Sequence, residues 1–367
     1  MTTRDALGQD ADGGHLRVLV LDTMLGWTNR HSVSQGEIVA DLLADDGATV
    51  HRASRRRNRV LRLLDLVSAP VRHRRDVDVV TLAVFSGPAF WLADLPSRVC
   101  RRLGLPLVLV LHGGNLPILA TAEPKRVRRL LSRAQAVVAP SRFNERALQP
   151  LCESTIEVIP NVVVADLPAA PRGDVPGPPR VLWMRSLEEL YGPEVAIRAF
   201  HRLLEHEPDA LLTMAGPDTG GCMDELEALV NELGIADRVT FAGFLDAEGK
   251  ADAFANHALY LNTTRIDNTP VTPLEAAGHG LPVVTTDAGG IPDLFVGGES
   301  ALIVGVDDAS ALCEAMVAVL GDDDLRTRLQ QNARRMVDDM RPEAVTPRWV
   351  ATLRAVASAP ETQDTTA

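Results

Sequence analysis

The stretch D-L-P-A-A-P-R-G-D-V-P-G-P-P, Asp166 to Pro179, divides this chain of 367 residues. Five prolines and two glycines in fourteen residues leave no run in which a helix or strand persists, so a linker is expected there. On its N-terminal side, short apolar runs alternate with helical spacing. Strands are expected near residues 16–21, 77–84, 106–111, 136–139 and 156–159, with helices near 32–46, 88–103, 124–133 and 141–149. Beyond the linker the alternation restarts at residues 181–184 and continues near 210–215, 239–241, 258–262, 282–286 and 301–304. Strands alternating with helices of ten to fifteen residues imply βαβ units and a parallel sheet. The reading is therefore α/β, with two Rossmann-like domains in tandem. Residues 1–165 form the first and 180–342 the second, and a last helical stretch at about 343–357 is free to pack on either.

Composition narrows the class. Hydrophobic residues make up 46% and charged residues 23%, as in a folded globular chain rather than a disordered or fibrous one. No apolar run approaches the ~20 residues needed to cross a bilayer. The N-terminus has no signal-peptide pattern. Cys100, Cys152, Cys222 and Cys313 lie far apart without C-x-x-C spacing. That argues against a zinc or disulfide framework and fits a reducing cytoplasm. The net charge of -12 conceals an asymmetry. Residues 1–165 carry 22 Arg/Lys against 16 Asp/Glu, and the rest carry 15 against 33. Halves so different in charge are expected to face different partners. The positive charge concentrates in residues 51–75, with nine arginines and two histidines, and again at Lys125, Arg126, Arg128, Arg129 and Arg133. This is either a solvated Arg-rich face or a contact with an anionic membrane or acceptor. Overall acidity and few aromatics disfavour nucleic acid.

Ligands of open α/β sheets bind outside the carboxyl ends of the strands, so the residues just after strands carry the chemistry. The first strand runs into Asp22-Thr23-Met24-Leu25-Gly26-Trp27, which keeps one glycine of the G-x-G-x-x-G that a dinucleotide fingerprint needs. Gly26 either lets backbone approach a phosphate or is a plain turn glycine. The strand near 106–111 leads into His112-Gly113-Gly114-Asn115, and His112 is either a ligand-facing group or a hydrogen-bonded turn residue. Arg185 follows the first strand of the second domain, where it either grips phosphate oxygens or forms a salt bridge.

The densest stretch is N-T-T-R-I-D-N-T-P-V-T-P-L-E-A-A-G-H-G-L-P-V-V-T-T-D-A-G-G-I-P, Asn262 to Pro292. A helix is expected from about Thr272, with Pro273 at its first position and free N–H groups suited to an anion. Asp267 lies in the loop and Glu275 in the helix. The plain alternatives are an Asx turn at Asp267-Asn268 and a capping box spanning Thr272 to Glu275.

Together these residues resemble the family 4 glycosyltransferases, retaining enzymes of the GT-B fold, whose two Rossmann-like domains face each other across a cleft. The family's Glu, seven residues, Glu reads here as Asp267, seven residues, Glu275. Ala276-Ala277-Gly278-His279-Gly280-Leu281-Pro282-Val283-Val284 and Gly289-Gly290-Ile291-Pro292 follow. Ile159-Pro160-Asn161 resembles the interdomain motif. The first domain adds His112-Gly113-Gly114 and Ala139-Pro140-Ser141. The resemblance implies that Glu275 holds the donor ribose, Asp267 the transferred sugar and Arg185 the diphosphate, with His112 near the reacting centre. Asn268, Thr269, Val271 and Thr272 belong to the donor loop, which offers backbone N–H groups at Thr269, Val271 and Thr272. Tyr191 stands where the family has a second diphosphate cation, a lysine, as in a subgroup with tyrosine after the Arg and D-N-T-P-V in the loop. Asp267 is one methylene shorter than the family's Glu. Gly26 sits at the first-domain turn that approaches the donor.

No metal site is expected. Asp76-Val77-Asp78 has D-x-D spacing but opens a strand, and Asp322, Asp323 and Asp324 begin a surface helix. The implied partners are a nucleotide-sugar and a glycan, lipid-linked or small-molecule acceptor, and no cofactor is implied. The alternatives are a nucleotide-sugar epimerase or hydrolase on the same fold, and a non-catalytic GT-B partner subunit.

Overall fold

A computed structural model describes residues 15–24, 33–164 and 176–359. Most of the expected linker lies outside the described residues, as does Gly26. The first half forms one parallel sheet from β1 (Arg17–Leu21), β2 (Thr49–Ala53), β3 (Val79–Val84), β4 (Leu107–Leu111), β5 (Ala136–Ala139) and β6 (Ile156–Val158), in the order β2-β1-β3-β4-β5-β6. The second half forms another from β7 (Arg180–Met184), β8 (Leu211–Ala215), β9 (Val239–Gly243), β10 (Leu259–Asn262), β11 (Val283–Thr286) and β12 (Leu302–Val304), in the order β12-β11-β10-β7-β8-β9. All pairings between these strands are parallel.

Parallel sheets carry helices on both faces, so their strands are apolar throughout. V-V-T-L-A-V in β3 and L-V-L-V-L in β4 are buried at every position. Each sheet has two cores, one per face. In each, the strand order reverses beside the strand that opens the domain: between β1 and β3 in the first, between β7 and β10 in the second. Loops leaving neighbouring strands at such a switch point diverge and open a crevice.

Two elements depart from expectation. β2 and the helix Arg59–His73 stand where the Arg-rich run showed no regular pattern. β2 is an edge strand with mostly half-buried residues, so T-V-H-R-A lacks an apolar signature. The helix starts at Asn58, whose side chain accepts from Val60 N and Leu61 N at 2.9 and 3.2 Å. It buries Leu66, Ala69 and Pro70.

The last helix, Pro342–Ala357, returns to the first domain. Its Val345, Trp349, Leu353 and Val356 join the core formed by Val18, Val20, Val108 and Ile159. Trp349 is 5% exposed there. Deleting a buried Trp side chain costs about 3–5 kcal/mol. Trp349→Ala should lower unfolding stability in urea by about that amount; a loss below about 1 kcal/mol would show that this helix is not part of the first domain's core.

Candidate active site

Arg185 is the first residue beyond β7. Its backbone is held by Arg185 N donating to Ala215 O at 3.0 Å. The neighbouring chain passes so close that a Cβ on Gly216 would lie 1.8 Å from Arg185 O, and Gly216 has a φ of +141°. Only glycine fits both demands. The guanidinium meets Asp267 Oδ2 at 2.7 Å and lies over the Tyr191 ring, 4.1 Å from its centroid. Burial opposes its charge, yet Asp267, then Tyr191 and Tyr260, hold its pKa above the ordinary arginine value. Tyr191 thus supports Arg185 with its ring and adds no second cation.

Asp267 lies in the loop after β10, β7's neighbour at the switch point. Asp267 Oδ1 accepts from Asn268 N at 2.8 Å, one residue on and not the two that an Asx turn requires, while Oδ2 faces Arg185. The loop rests on Gly289 and Gly290: a Cβ on either would come within 2.0 and 2.1 Å of the carbonyls of Asp267 and Asn268. Gly290 N donates to Asp267 O at 2.9 Å.

The helix begins earlier than expected, as Val271–Gly278, with Pro270 as its N-cap and no side-chain cap bond. Pro273 is therefore its third residue, not its first, and Thr272 lies inside it. The capping box does not form. A Pro in the first turn costs no hydrogen bond, since those N–H groups have no intrahelical partner. The N–H groups of Val271 and Thr272 fall among them. Glu275 is 9% exposed. Lys250 Nζ lies 2.5 Å from Glu275 Oε2, an ion pair whose angle is not that of a hydrogen bond, so this buried oxygen has no aligned donor.

The first domain meets this loop directly. Asn268 is buried at 3% exposure; its Oδ1 accepts from Ser141 Oγ, and its Nδ2 approaches Leu111 O and His112 O at 3.5 and 3.4 Å. Its side chain thus joins the domains, leaving no side-chain amide free for a donor. Thr269 Oγ1 donates to Pro140 O at 3.4 Å, and Asn161 Nδ2 donates to Thr269 O at 3.3 Å. Gly114 sits against the loop, where a Cβ would come 3.3 Å from Asn268 N.

His112, just past β4, stacks beside Phe85 and lines a pocket shared with Asp22, Gly36, Asn161 and Trp349. The structure brings Arg185, Tyr191 and Asp267 into contact and seats Asn268 and Thr269 of the same loop against the first domain, beside the His112 carbonyl; Val271, Thr272 and Glu275 follow on the next helix, while the His112 side chain lines a pocket of first-domain residues and Trp349. The acidic clusters lie elsewhere, in structural roles: Asp78 pairs with Arg17 at 2.6 Å, and Asp322 caps the helix Asp323–Asp338. Two site residues escaped the sequence. Asp22, at the end of β1, is buried and accepts from Ser34 Oγ and Gly36 N at 3.0 and 3.2 Å. Lys250 had one signal, its rarity: the chain has two lysines.

Two family models match the chain. "Glycosyltransferase Family 4" covers residues 17–167 and "Glycosyl transferases group 1" residues 170–336, so together they span nearly all of both sheets. Solved structures agree on the fold. Sucrose-phosphate synthase from Thermosynechococcus elongatus superposes with a TM-score of 0.75 at 18% identity, covering 94% of this chain and 100% of the other. Anabaena HepE in complex with UDP-glucose gives 0.73 at 17% identity, over 93% and 100%. The fold is GT-B, and the chain carries both domains of the family 4 glycosyltransferases. Among relatives, the D-inositol 3-phosphate glycosyltransferase of Nocardia farcinica is 28% identical over 269 residues, 65% of this chain and 59% of its own. The lipopolysaccharide core biosynthesis mannosyltransferase LpsB of Rhizobium meliloti is 33% identical over 136 residues, 36% of this chain and 38% of its own. The chain spans less than two thirds of the length of these relatives.

Burial pushes the His112 pKa below its ordinary 6.5, and the nearby Asp22 carboxylate only partly offsets this. A lowered histidine pKa favours the neutral ring, so protonation opposes the fold: this contribution is intact above pH 6.5 and lost as pH falls from there through the folded-state value. An NMR titration should place the His112 midpoint below 6.5; a midpoint at or above 6.5 would contradict the neutral assignment.

Proposed function

We propose that this chain transfers a sugar from a nucleotide-sugar donor to an acceptor, with retention at the anomeric carbon and without a metal ion. The observation that carries the reading is the constellation at the second switch point: Arg185 on Asp267, the open start of the helix Val271–Gly278, and Glu275 buried behind them. In this reading, Glu275 takes the ribose hydroxyls. The diphosphate lies against Arg185 and the amides of Val271 and Thr272. Asp267 meets the sugar, and neutral His112 closes the site from the first domain. Charge builds on the diphosphate as the glycosidic bond breaks, and fixed donors aimed at that charge stabilise the transition state. The shorter Asp267 reaches Arg185 and so fixes the guanidinium before the donor arrives.

The test is turnover on a panel of UDP- and GDP-sugars, with and without EDTA. Arg185→Ala should lower kcat/KM by about 10²–10³, as for a lost transition-state donor. Tyr191→Phe, which keeps the ring under Arg185, should cost only a few-fold. Glu275→Gln should raise the donor KM with little change in melting temperature. Activity abolished by EDTA and restored by Mg²⁺ or Mn²⁺ would overturn the metal-free part. Donor consumption that no acceptor redirects would favour a hydrolase.

The acceptor in this proposal is an anionic or lipid-linked precursor of a cell-envelope glycan, met at the cytoplasmic face of a membrane. The curated relatives named for inositol phosphate and lipopolysaccharide core support that class. So does the surface of the helix Arg59–His73, which exposes Val60, Leu61, Leu64 and Val71 beside Arg57 and Arg59. No helix among the described residues is long and apolar enough to cross a membrane. Contact would therefore be peripheral, through apolar side chains and basic groups screened by salt. Co-sedimentation should show binding to anionic vesicles at low salt that weakens at high salt; equal, negligible binding to anionic and neutral vesicles would remove the membrane contact.

A further inference from the structure

We infer that Lys250 is a positioning residue of the donor site: it holds the Glu275 carboxylate in one orientation for the ribose hydroxyls of the nucleotide. The inference rests on the donor reading above and deepens it.

Lys250 belongs to the helix Ala247–Asn256, which follows β9 and so starts at the same carboxyl edge of the sheet as the Arg185 and Asp267 loops. Asp246 caps that helix by accepting from Gly249 N at 2.9 Å, which fixes the turn next to Lys250. From there Lys250 Nζ reaches to within 2.5 Å of Glu275 Oε2. Pairs between exposed side chains are common and mean little. This one differs in its carboxylate, whose side chain is 11% exposed and whose Oε2 has no aligned hydrogen bond.

A ribose offers two adjacent hydroxyls, and a carboxylate accepts from both only when it is ionised; a protonated carboxyl presents one O–H of its own. An ammonium, as a compact point charge, fixes the carboxylate and leaves oxygen lone pairs free for the ligand, where a guanidinium fork would occupy them. In a chain with two lysines among 37 Lys/Arg residues, one of the two stands at this carboxylate. The donor site then contains two matched pairs, Arg185 with Asp267 and Lys250 with Glu275. The four charges cancel, so a diphosphate entering the crevice meets no net negative cluster, although Tyr191 contributes no cation.

The experiment measures binding of UDP, GDP, uridine and guanosine to the full chain and to Lys250→Met, Lys250→Arg, Glu275→Gln and the Lys250→Met/Glu275→Gln pair, with melting temperatures alongside. The expected result is that Lys250→Met weakens the nucleoside and its diphosphate by the same factor, about tenfold, in line with losing a group that orients a ligand-binding side chain. Lys250→Arg should recover only part of that loss, because its fork takes carboxylate lone pairs that the ribose needs; the melting temperature should barely move, and Lys250→Met should add nothing to Glu275→Gln because the two act on one contact. In turnover, the loss should appear in the donor KM and not in kcat. Unchanged affinity with a lowered melting temperature would make the pair a brace between helices and overturn the inference. So would a loss confined to the diphosphates, which would put the ammonium on phosphate, and so would additive effects of the two substitutions. The two readings fail differently. If the wild-type chain binds none of the four probes, the donor reading itself falls. If Glu275→Gln weakens binding and Lys250→Met does not, only the role of Lys250 falls.

Discussion

The loop from Asp267 to Thr269 is gripped from both sides, and the site depends on that grip. The second domain holds it from below, where Gly289 and Gly290 admit its carbonyls at distances no other residue allows. The first domain holds it from above, through Ser141, Pro140, Asn161 and the carbonyls after β4, all converging on Asn268 and Thr269. Asn268 is a buried amide between two domains, and a buried amide must find partners or cost free energy. Its partners exist only when the domains meet as they do here. The polar bonds that close the cleft are thus the same ones that set the carboxylate of Asp267 and the start of the next helix. The segment that carries Asp267 is therefore also the one that the first domain touches.

The second constraint is electrostatic. Asp267 and Glu275 would form a negative pocket if left alone, hostile to a diphosphate. Each has a cation against it instead, and Tyr191 holds Arg185 from its open face. Arg185 remains charged despite burial because its partners outweigh desolvation. In the proposed reaction, a group already charged, already oriented and partly removed from water would need little reorganisation on donor binding, which is the condition under which fixed charges act most strongly on a transition state. His112 supplies the contrasting case: burial favours its neutral form, so its ring, stacked beside Phe85, adds no third cation.

Much of this was legible in the sequence, for a physical reason. Central parallel strands are buried on both faces, so β3, β4, β7 and β10 read as unbroken apolar runs and placed His112, Arg185 and the Asp267 loop at strand ends. β2 was illegible because an edge strand is half-solvated and carries His51 and Arg52. The helix Arg59–His73 was hidden by its own arginines and by Pro70. Pro273 misplaced the start of the helix because proline is tolerated throughout the first turn. The first-domain partners of the Asn268 side chain were not legible, because an interdomain surface does not exist in one dimension. Lys250 was missed for a similar reason: it lies 25 residues before Glu275, on an element that only the fold brings near.

A crystal structure of the chain with UDP or GDP tests the central claim most directly. The account predicts the ribose hydroxyls on Glu275, the diphosphate on Arg185 and on the amides of Val271 and Thr272, and the terminal phosphate pointing toward Asp267 and His112. A nucleotide bound away from Glu275, or with its diphosphate directed out of the crevice, would contradict it.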